Sequence, residues 1–435
     1  MPPQPILPIK HLNLDEMEGL RRRRTARAFH DPSLEAMVHG ILEAVQERGD
    51  AALLNFTRDF DGVDLSQRGL AVTDDDVRQA YNQVDQDALS ALTSLKDRIA
   101  QTERRLIETA CFLQQEDGLT IRHAVTPLQS VGCYVPGGLA AYPSTLLMTA
   151  VPATVAGVPR IVVCSPPSVK GEIHPLILVA ADLCGVTEIY RVGGAQAIAA
   201  MAYGTRTIAP VMKIVGPGRR IVAVAKTLVS SEVAVDLPAG PSELLVVADD
   251  TANPQFIARD LVSQAEHGPD TIVGVITPSE ACARQIVVAI EALLPAVERG
   301  EIIGQSLITN GFVMVCQDLA AAVDYVNAFA PEHVEVLTRN PSAVATRIVA
   351  AGLILLGPYT PVAGSDYGFG TNHVLPTGGF SRTHSGLSAL DFVKRVNVVT
   401  CTKERLKAMA PTVQVLARSE GLPNHALAVQ ERVAS

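Results

Sequence analysis

The run AGSDYGFGTNHVLPTGG, from Ala363 to Gly379, places reactive side chains in a segment that is poorly suited to packing. Asp366 and His373 are residue types that bind metal ions or transfer protons. The five glycines of the run let the backbone approach a ligand closely and adopt positive φ. The alternative is a structural loop with a capping aspartate and a surface histidine. The segment predicts a ligand or catalytic site but does not define its kind.

Two further segments combine an imidazole with an amide or a carboxylate. In SQAEHGPD, Gln264 and His267 are three residues apart at the predicted end of a helix, with Gly268 just beyond it. Their side chains share a helix face and could form half of a metal site. In APEHVEV, Glu332 and His333 are adjacent where a strand begins, which suits proton transfer. Solvated helix and strand ends remain the alternatives for these two segments.

Three glycine-rich turns follow predicted strands: YVPGGLAAYPS, VGGAQAIAA and VGPGRR. A helix that begins at such a turn presents free N–H groups to phosphate. None of the turns is a complete GxGxxG fingerprint with a later acidic residue. Because the carboxyl ends of parallel strands meet at one edge of a sheet, the turns together predict a nucleotide-binding crevice.

The composition is that of a compact protein. The chain has 435 residues, of which 48% are hydrophobic and 19% charged, and its net charge is −9. This length predicts two main domains. The negative charge argues against a nucleic-acid or anionic-membrane partner, and Pro152, Gly157 and Pro159 interrupt the longest apolar region. Seven cysteines without a CxxC pair predict reduced, buried thiols and a cytoplasmic location.

Short β-branched runs alternate with helix-length segments in two series, which is typical of βαβ units. The expected fold class is α/β, with two incomplete Rossmann-like domains that contain parallel sheets, plus small N- and C-terminal extensions. The first quarter of the chain is expected to be mostly helical. The expected domains are an N-terminal arm (1–28), a discontinuous first α/β domain (29–129 and 242–385), a second Rossmann-like domain (130–241) and a C-terminal tail domain (386–435).

The tail is too short to form its own core and is expected to pack on this chain or on a partner subunit. Its pattern predicts a helix from Lys403 to Ala410 and an amphipathic segment from Thr412 to Val433. It also contains SEGLPNH, with Glu420 and His425, which in isolation predicts a polar helix terminus.

Eight strings of this sequence resemble the histidinol dehydrogenase family in order and spacing. They are GCYVPGG, VGGAQAIAAMAYGT, KIVGPG, DLPAGPSE, DLVSQAEHGPD, APEHVEV, SDYGFGTNHVLPTGG and SEGLPNHA. The resemblance extends from about Ile41 to about Val433. It implies a four-electron oxidation of L-histidinol to L-histidine through L-histidinaldehyde, the last step of histidine biosynthesis. Two NAD molecules and one zinc ion would serve each site.

The resemblance also implies roles for individual residues. His333 resembles the family's general base, and Glu332 resembles the residue that activates water against the aldehyde. The positions that match zinc ligands are Gln264, His267, Asp366 and His425. The positions that match substrate contacts are Ser242, Gln264, His267, His333, Asp366, Glu420 and His425, and those that match cofactor contacts are Tyr134, Gln196 and Arg219. His373 is a weaker candidate for a supporting or substrate-side role.

The family forms a homodimer whose tail reaches the neighbouring subunit. The resemblance therefore implies that Glu420 and His425 complete the site of the partner. Aldehyde oxidation needs a water or a thiol as nucleophile. Cys133, beside the first glycine-rich turn, is the one thiol in a position to serve, and we interpret it as a core residue.

Two positions depart from the family pattern. Arg219 stands where asparagine is usual, and Met212 stands where an acidic residue is usual. An arginine could favour the extra phosphate of NADP by bidentate pairing or turn towards solvent, so the choice of cofactor stays open. Two other functions are a paralogous zinc- and NAD-dependent dehydrogenase of another polar alcohol, and a non-catalytic subunit. Ser242 and Glu243 argue against the first, and competent residue types at every site position argue against the second.

Overall fold

The computed structural model describes residues 7–12, 31–137, 141–236 and 240–434. Most of the expected N-terminal arm, 1–28, lies outside these residues. So do 138–140 in the first glycine-rich turn and 237–239 in the expected junction between the domains. None of the described helices combines the length and the apolar character needed to cross a bilayer.

The described residues form α/β elements in the predicted order. The strands are β1 (Ile9–His11), β2 (Phe112–Glu116), β3 (Leu119–Pro127), β4 (Val131–Tyr134), β5 (Ile161–Ser165), β6 (Glu188–Arg191), β7 (Lys213–Val215), β8 (Ala234–Val235), β9 (Glu243–Ala248), β10 (Ile272–Thr277), β11 (Phe312–Val315), β12 (His333–Leu337), β13 (Leu353–Leu356) and β14 (Val393–Cys401). The helices are α1 (Pro32–Arg48), α2 (Asp50–Asp61), α3 (Asp74–Tyr81), α4 (Gln86–Ala110), α5 (Pro143–Val155), α6 (Pro175–Leu183), α7 (Gly194–Tyr203), α8 (Arg220–Val229), α9 (Pro254–Ala265), α10 (Glu280–Leu293), α11 (Gly300–Asn310), α12 (Leu319–Phe329), α13 (Pro341–Ala345), α14 (Val362–Tyr367), α15 (Lys403–Ser419) and α16 (Pro423–Ala434). The helical first quarter and both strand series are confirmed.

The largest sheet of the described residues has six parallel strands in the order β1, β11, β10, β9, β12, β13. Every residue of the central strands β9 and β12 is buried, because helices cover both faces of a parallel sheet. The apolar side chains on the two faces form separate core clusters. The short strand β1 shows that the N-terminal extension joins this sheet.

A second parallel sheet has the order β6, β5, β4, β7, β8 within the described residues. Helices α1, α7 and α8 pack together in one of its core clusters, and α4 packs against α5 in another. The helices between 32 and 110 therefore pack with this sheet, whereas the sequence grouped 29–129 with 242–385. The domain boundaries remain a prediction, and we propose that 32–110 belongs with 130–241.

The third sheet is antiparallel, with the order β14, β3, β2. The tail strand β14 pairs along its full length with β3, so the tail packs in part on its own chain. The expected end of the tail helix at Ala410 is wrong, because α15 continues through Pro411 to Ser419. Proline removes one N–H donor and bends a helix without having to end it.

Local polar contacts define several helix starts. At the start of α3, the Thr73 hydroxyl accepts the N–H of Asp76, while the Asp76 carboxylate accepts the N–H of Thr73. This is a capping box. The cysteines are all free thiols, and five of them are buried as expected. Cys111 and Cys401 are exposed, so the expectation of burial is wrong for those two.

Candidate active site

A cavity of about 600 Å³ lies between the two parallel sheets. One wall follows the carboxyl ends of strands in the five-stranded sheet, with Pro136 after β4 and the turn 217–220 after β7. The opposite wall lies at the amino ends of strands in the six-stranded sheet, where Ser242 precedes β9 and Glu332 precedes β12. The expected crevice thus involves carboxyl strand ends in only one of the two sheets.

The cavity brings together most of the residues that the sequence singled out. Its lining includes Arg219, Ser242, Gln264, His267, Glu332, His333, Asp366 and His373. Four expected site residues are not among the lining residues: Tyr134, Gln196, Glu420 and His425. One described chain therefore assembles the acid–base pair and part of the expected metal site.

Glu332 is held by a reciprocal contact between the starts of β9 and β12. The N–H of Glu243 donates to Glu332 Oε2 at 2.8 Å, and the N–H of Glu332 donates to Glu243 Oε2 at 3.2 Å. Glu243 Oε1 also accepts the N–H of Gly378, from the glycine-rich run, at 2.9 Å. The two carboxylates thus fix the strand starts and the glycine-rich run against each other. Glu332 is 7% exposed at this position.

His333 lines the cavity and contacts the protein through one of its two ring nitrogens. Its Nδ1 lies 3.2 Å from the carbonyl oxygen of Glu243 and 3.5 Å from Glu332 Oε2. A carbonyl oxygen only accepts, so Nδ1 carries the proton of the bond to Glu243. The buried Nε2 has no hydrogen-bond partner among the described residues. Nε2 is therefore the atom that can exchange a proton with a ligand.

The surroundings of His333 favour its charged form. Burial lowers the pKa of this imidazole. The Glu332 carboxylate, assisted by Asp366 and the Glu243 carbonyl, has the larger and opposite effect, so the net pKa is raised to about 9. A cation bound against Asp366 would oppose this preference for the imidazolium. The proton affinity of His333 therefore depends on what binds beside it.

Asp366 lies in the short helix α14 and is surrounded by imidazoles. Burial raises the pKa of its carboxyl, but the hydrogen bond and charge of His373, with the charges of His333 and His267, lower it below its usual value. His373 Nδ1 lies 3.4 Å from Asp366 Oδ1, and His373 Nε2 lies 3.4 Å from the Thr145 hydroxyl on α5. Asp366 is therefore an ionised carboxylate, and His373 connects it to the helix layer of the other sheet.

Gln264 and His267 reach the cavity from the end of α9. The helix ends at Ala265, so the expectation that both residues lie on it is wrong for His267. His267 follows in a turn in which its N–H donates to the Gln264 carbonyl at 3.2 Å. An amide, an imidazole and the Asp366 carboxylate are donors of the kind that zinc takes. Within the described part of one chain, no three His, Cys, Asp or Glu side chains form a complete metal cluster.

The two tail residues stand away from this cavity. Glu420 follows α15 and His425 lies in α16, and both are exposed. A metal or substrate in the cavity would therefore receive these groups from another copy of the chain or not at all.

The expected cofactor residues cluster at the carboxyl end of the five-stranded sheet. The buried Tyr134 hydroxyl accepts the N–H of Gly194 at 3.1 Å. Gln196 is 1% exposed, and its Oε1 has no hydrogen-bond partner among the described residues. A side chain at Gly216 would collide with the Tyr134 carbonyl, so the turns after β4 and β7 approach closely. An unpaired buried amide oxygen beside such turns fits the polar groups of a dinucleotide.

Several cavity residues were missed by the sequence analysis. Thr145 lines the cavity but belongs to no segment that pointed to chemistry, whereas Tyr142, Tyr367 and Thr377 lie within the predicted segments but were not singled out as site residues. Glu335 was also missed, although a glutamate inside the apolar run HVEVL is a usable signal, since buried strands seldom contain an unpaired carboxylate.

Two opposed parallel sheets with an acid–imidazole site between them define a Rossmann-like α/β enzyme. The model of the family "Histidinol dehydrogenase" matches residues 23–433. Relatives named histidinol dehydrogenase include one from Methanothermobacter thermautotrophicus, 44% identical over 396 residues and covering 91% of this chain and 92% of that one. Another, from Methanocaldococcus jannaschii, is 43% identical over 426 residues, 98% of each chain.

A solved histidinol dehydrogenase from Elizabethkingia anophelis has a TM-score of 0.92 at 34% identity, covering 99% of this chain and 98% of that one. The chain belongs to the histidinol dehydrogenase family, and it is an oxidoreductase. These matches confirm both the resemblance and the expected fold class.

Proposed function

We propose that this enzyme oxidises L-histidinol to L-histidine through L-histidinaldehyde, with NAD as electron acceptor and zinc in the site. The observation that carries the proposal is the position of Glu332 and His333 in the same cavity as Gln264, His267 and Asp366. An acid–base pair next to an ionised carboxylate and an imidazole suits oxidation of an alcohol that brings its own nitrogen donors.

His333 is the proposed general base of both oxidation steps. Its Nδ1 is held to the Glu243 carbonyl, so the ring keeps one orientation and one tautomer. Its buried Nε2, which has no hydrogen-bond partner among the described residues, takes the proton of the substrate hydroxyl once a cation beside Asp366 has opposed the charged form of the ring. NAD, when bound, supplies the hydride acceptor for both oxidations. The proposed cofactor contacts are Tyr134, Gln196 and Arg219.

Glu332 is the proposed residue that activates water for attack on the aldehyde. Its Oε2 accepts the N–H of Glu243, which leaves Oε1 to accept a proton from a water molecule. The nucleophile is water because the alternative, Cys133, is fully buried in the core. Burial raises the pKa of the Cys133 thiol to about 12, which suppresses the thiolate form.

Gln264, His267 and Asp366 are the proposed zinc ligands from one chain. When bound, the metal would hold the imidazole and amine nitrogens of the substrate, and so select an imidazole-bearing amino alcohol. The proposed fourth ligand is His425 from a second copy. Ser242, which lines the cavity, and Glu420 of the second copy are the remaining proposed substrate contacts, beside His333 and the metal ligands.

The homodimer is part of this proposal and is supported by the tail surface. Exposed apolar side chains are frequent on the antiparallel sheet and on α15, among them Val398, Val399, Val415 and Leu416. Apolar patches of this kind are typical of subunit interfaces. The free cysteines are consistent with a cytoplasmic location, which we propose as well.

Arg219 bears on the choice between NAD and NADP. Both Arg219 and Arg220 are exposed and line the cavity, so a phosphate could reach either guanidinium. We propose NAD as the acceptor on the family relationship, and a comparison of kcat/KM for the two cofactors tests it. A higher kcat/KM with NADP would overturn the choice of NAD.

The reaction itself is tested by stoichiometry with purified protein, L-histidinol, NAD and zinc. We expect two NADH for each histidine formed. One NADH with accumulation of the aldehyde would limit the proposal to the first oxidation. No NADH from folded, zinc-loaded protein would contradict the substrate and favour another polar alcohol. Glu332→Gln should slow oxidation of supplied aldehyde more than oxidation of histidinol, because water activation belongs only to the second step.

A further inference from the structure

A buried and a half-buried carboxyl group face each other between the helix α9 and the strand β12. Glu335, on β12, is 1% exposed, and Asp260, on α9, is half-buried. The side chains of Asp260 and Glu335 lie within interaction range of each other. Glu335 Oε1 accepts the N–H of Val362 at 2.8 Å. Among the described residues, no N–H group and no hydroxyl reaches the buried Glu335 Oε2, so the Asp260 carboxyl is the neighbour that can share a proton with Glu335.

Asp260, Glu335 and Val362 each belong to an element that also carries a proposed site residue. Asp260 precedes Gln264 by one turn of α9, and residues four apart share a helix face. Glu335 follows His333 by two positions on β12, so their side chains emerge on the same face of the sheet. Val362 is the first residue of α14, which carries Asp366. Helices α9 and α14 also pack against each other.

Both carboxyl groups favour their protonated forms. Burial raises the pKa of Asp260 to about 6 and, together with the charge of Asp260, raises the pKa of Glu335 well above its usual value. If both carboxyl groups were ionised, their charges would repel each other in a medium of low dielectric constant. At neutral pH the pair therefore retains one proton, which allows one carboxyl group to donate to the other.

We propose that Asp260 and Glu335 are positioning residues that fix α9 and α14 against β12. They thereby set the separation between the Gln264–His267 turn and the Asp366 carboxylate. The inference rests on the proposed function in one respect, namely that these three residues bind zinc. Neither carboxyl group is among the residues that line the cavity, so the effect is exerted through the elements that the pair joins.

The test compares zinc affinity and local hydrogen exchange in variants of the full-length protein. Glu335→Ala removes the acceptor of the Val362 N–H and the partner of Asp260. We expect zinc binding, measured against a competing chelator, to weaken about 10–100-fold, as is typical when supporting hydrogen bonds of metal ligands are lost. Amide exchange in α14 should become faster. Glu335→Gln can accept from Val362 and donate to Asp260, so it should stay within about 3-fold of the parent protein.

Glu103→Ala is the matched control, because it removes a similar buried carboxyl that does not line the cavity. Glu103 is 2% exposed, and its Oε2 accepts the N–H of Ala389 at the start of a 3₁₀ helix, Ala389–Phe392. We expect it to lower stability without changing zinc affinity or exchange in α14. If Glu335→Ala does not fold, the half-buried Asp260→Ala replaces it and should shift both readouts in the same direction.

The outcomes separate this inference from the proposed function. Unchanged zinc affinity and unchanged α14 exchange in folded Glu335→Ala would overturn the positioning role. Equal losses in Glu103→Ala would overturn it too, because the effect would then be general. Absence of zinc binding in the parent protein would instead contradict the zinc assignment, and exchange in α14 would then decide the positioning role alone.

Discussion

At the scale of single residues, buried carboxyl groups in this protein repeatedly accept backbone N–H groups. Glu332 holds the start of β9, Glu335 holds the start of α14, and Glu103 holds the N–H of Ala389. Each contact satisfies a donor that would otherwise be buried without a partner. The same burial makes ionisation of the acid costly, so these residues connect stability to pH.

Glu103→Gln should stabilise the protein at alkaline pH. Burial raises the pKa of Glu103 to about 7, and the charge of Asp391 adds to this, while the bond from Ala389 opposes it. The folded state thus binds the proton more tightly than the unfolded state. The stability that this provides is complete below the unfolded pKa near 4.5 and is lost as pH rises through 7. Glutamine keeps an acceptor for Ala389 and never ionises.

The measurement is urea unfolding of the parent protein and Glu103→Gln at pH 5 and pH 8. We expect near-equal free energies of unfolding at pH 5 and a gain of about 2 kcal/mol for the variant at pH 8. Glu108→Gln, at an exposed position of the same helix, is the control and should show no such gain. A gain of the same size at both pH values would exclude the ionisation of Glu103 as its cause.

At the scale of elements, the turn after β7 is held by a buried ion pair. Lys226, on α8, donates to the Gly216 carbonyl at 3.1 Å, and Asp236, after β8, accepts the Gly216 N–H at 2.7 Å. Lys226 and Asp236 also pair with each other. Both backbone polar groups of Gly216 are therefore fixed where the chain enters 217–220, which lines the cavity. We expect this pair to shape the proposed cofactor site.

Lys226→Met should weaken cofactor binding more than substrate binding. Removing one partner leaves the Asp236 carboxylate buried without its cation, which costs about 3–5 kcal/mol of stability. The turn at Gly216 loses one of the two hydrogen bonds that fix it. We therefore expect KM for NAD to rise several-fold, while KM for L-histidinol changes little. Steady-state kinetics with each ligand varied in turn measures both constants.

The double variant Lys226→Met, Asp236→Asn separates the effect on the conformation of the turn from the effect on the stability of the protein. It leaves no unpaired charge, so part of the lost stability should return while KM for NAD stays high. Lys213→Met is the matched control, because this lysine bonds to Asp391 at the opposite end of β7. Equal effects of Lys213→Met on KM for NAD would remove the assigned role of the ion pair.

At the scale of the whole molecule, the cavity forms where the carboxyl ends of strands in one sheet face the amino ends of strands in the other. The five-stranded sheet contributes turns at its carboxyl edge, and the six-stranded sheet contributes residues before its strands begin. The tail ends outside this cavity, with Glu420 and His425 exposed. If the tail completes the site of a second copy, neither chain has a complete site of its own.

Mixing two inactive variants tests this sharing of sites. His333→Ala removes the proposed general base in the cavity, and His425→Ala removes the proposed metal ligand in the tail. After subunit exchange, a heterodimer has one site with both residues intact, so equal mixing should restore about one quarter of the parent activity. His333→Ala mixed with Glu332→Gln is the control, because both residues lie in the same cavity and no combination repairs it. Failure of the first pair under conditions of proven exchange would mean that each site is built within one chain.

Local sequence determined the secondary-structure elements and the pairing of neighbouring site residues. Both strand series were predictable because parallel strands buried on two faces appear as continuous apolar runs, as in ELLVVA of β9. The adjacency of Glu332 and His333 at a strand start was also predictable, because it depends only on neighbours along the chain. The opposite case is α15, where Pro411 was taken as a helix end, although context permits the helix to continue.

Only the tertiary structure decided which ends of the sheets meet and what each element packs against. Nothing local in α1 or α4 specifies that they cover the five-stranded sheet, since an apolar helix face fits either layer. The glycine-rich run could not by itself distinguish Asp366 from His373. In the fold, Asp366 is the carboxylate enclosed by three imidazoles, and His373 bridges it to Thr145. The contacts that create this difference join residues up to 228 positions apart, and they arise only when the chain is folded.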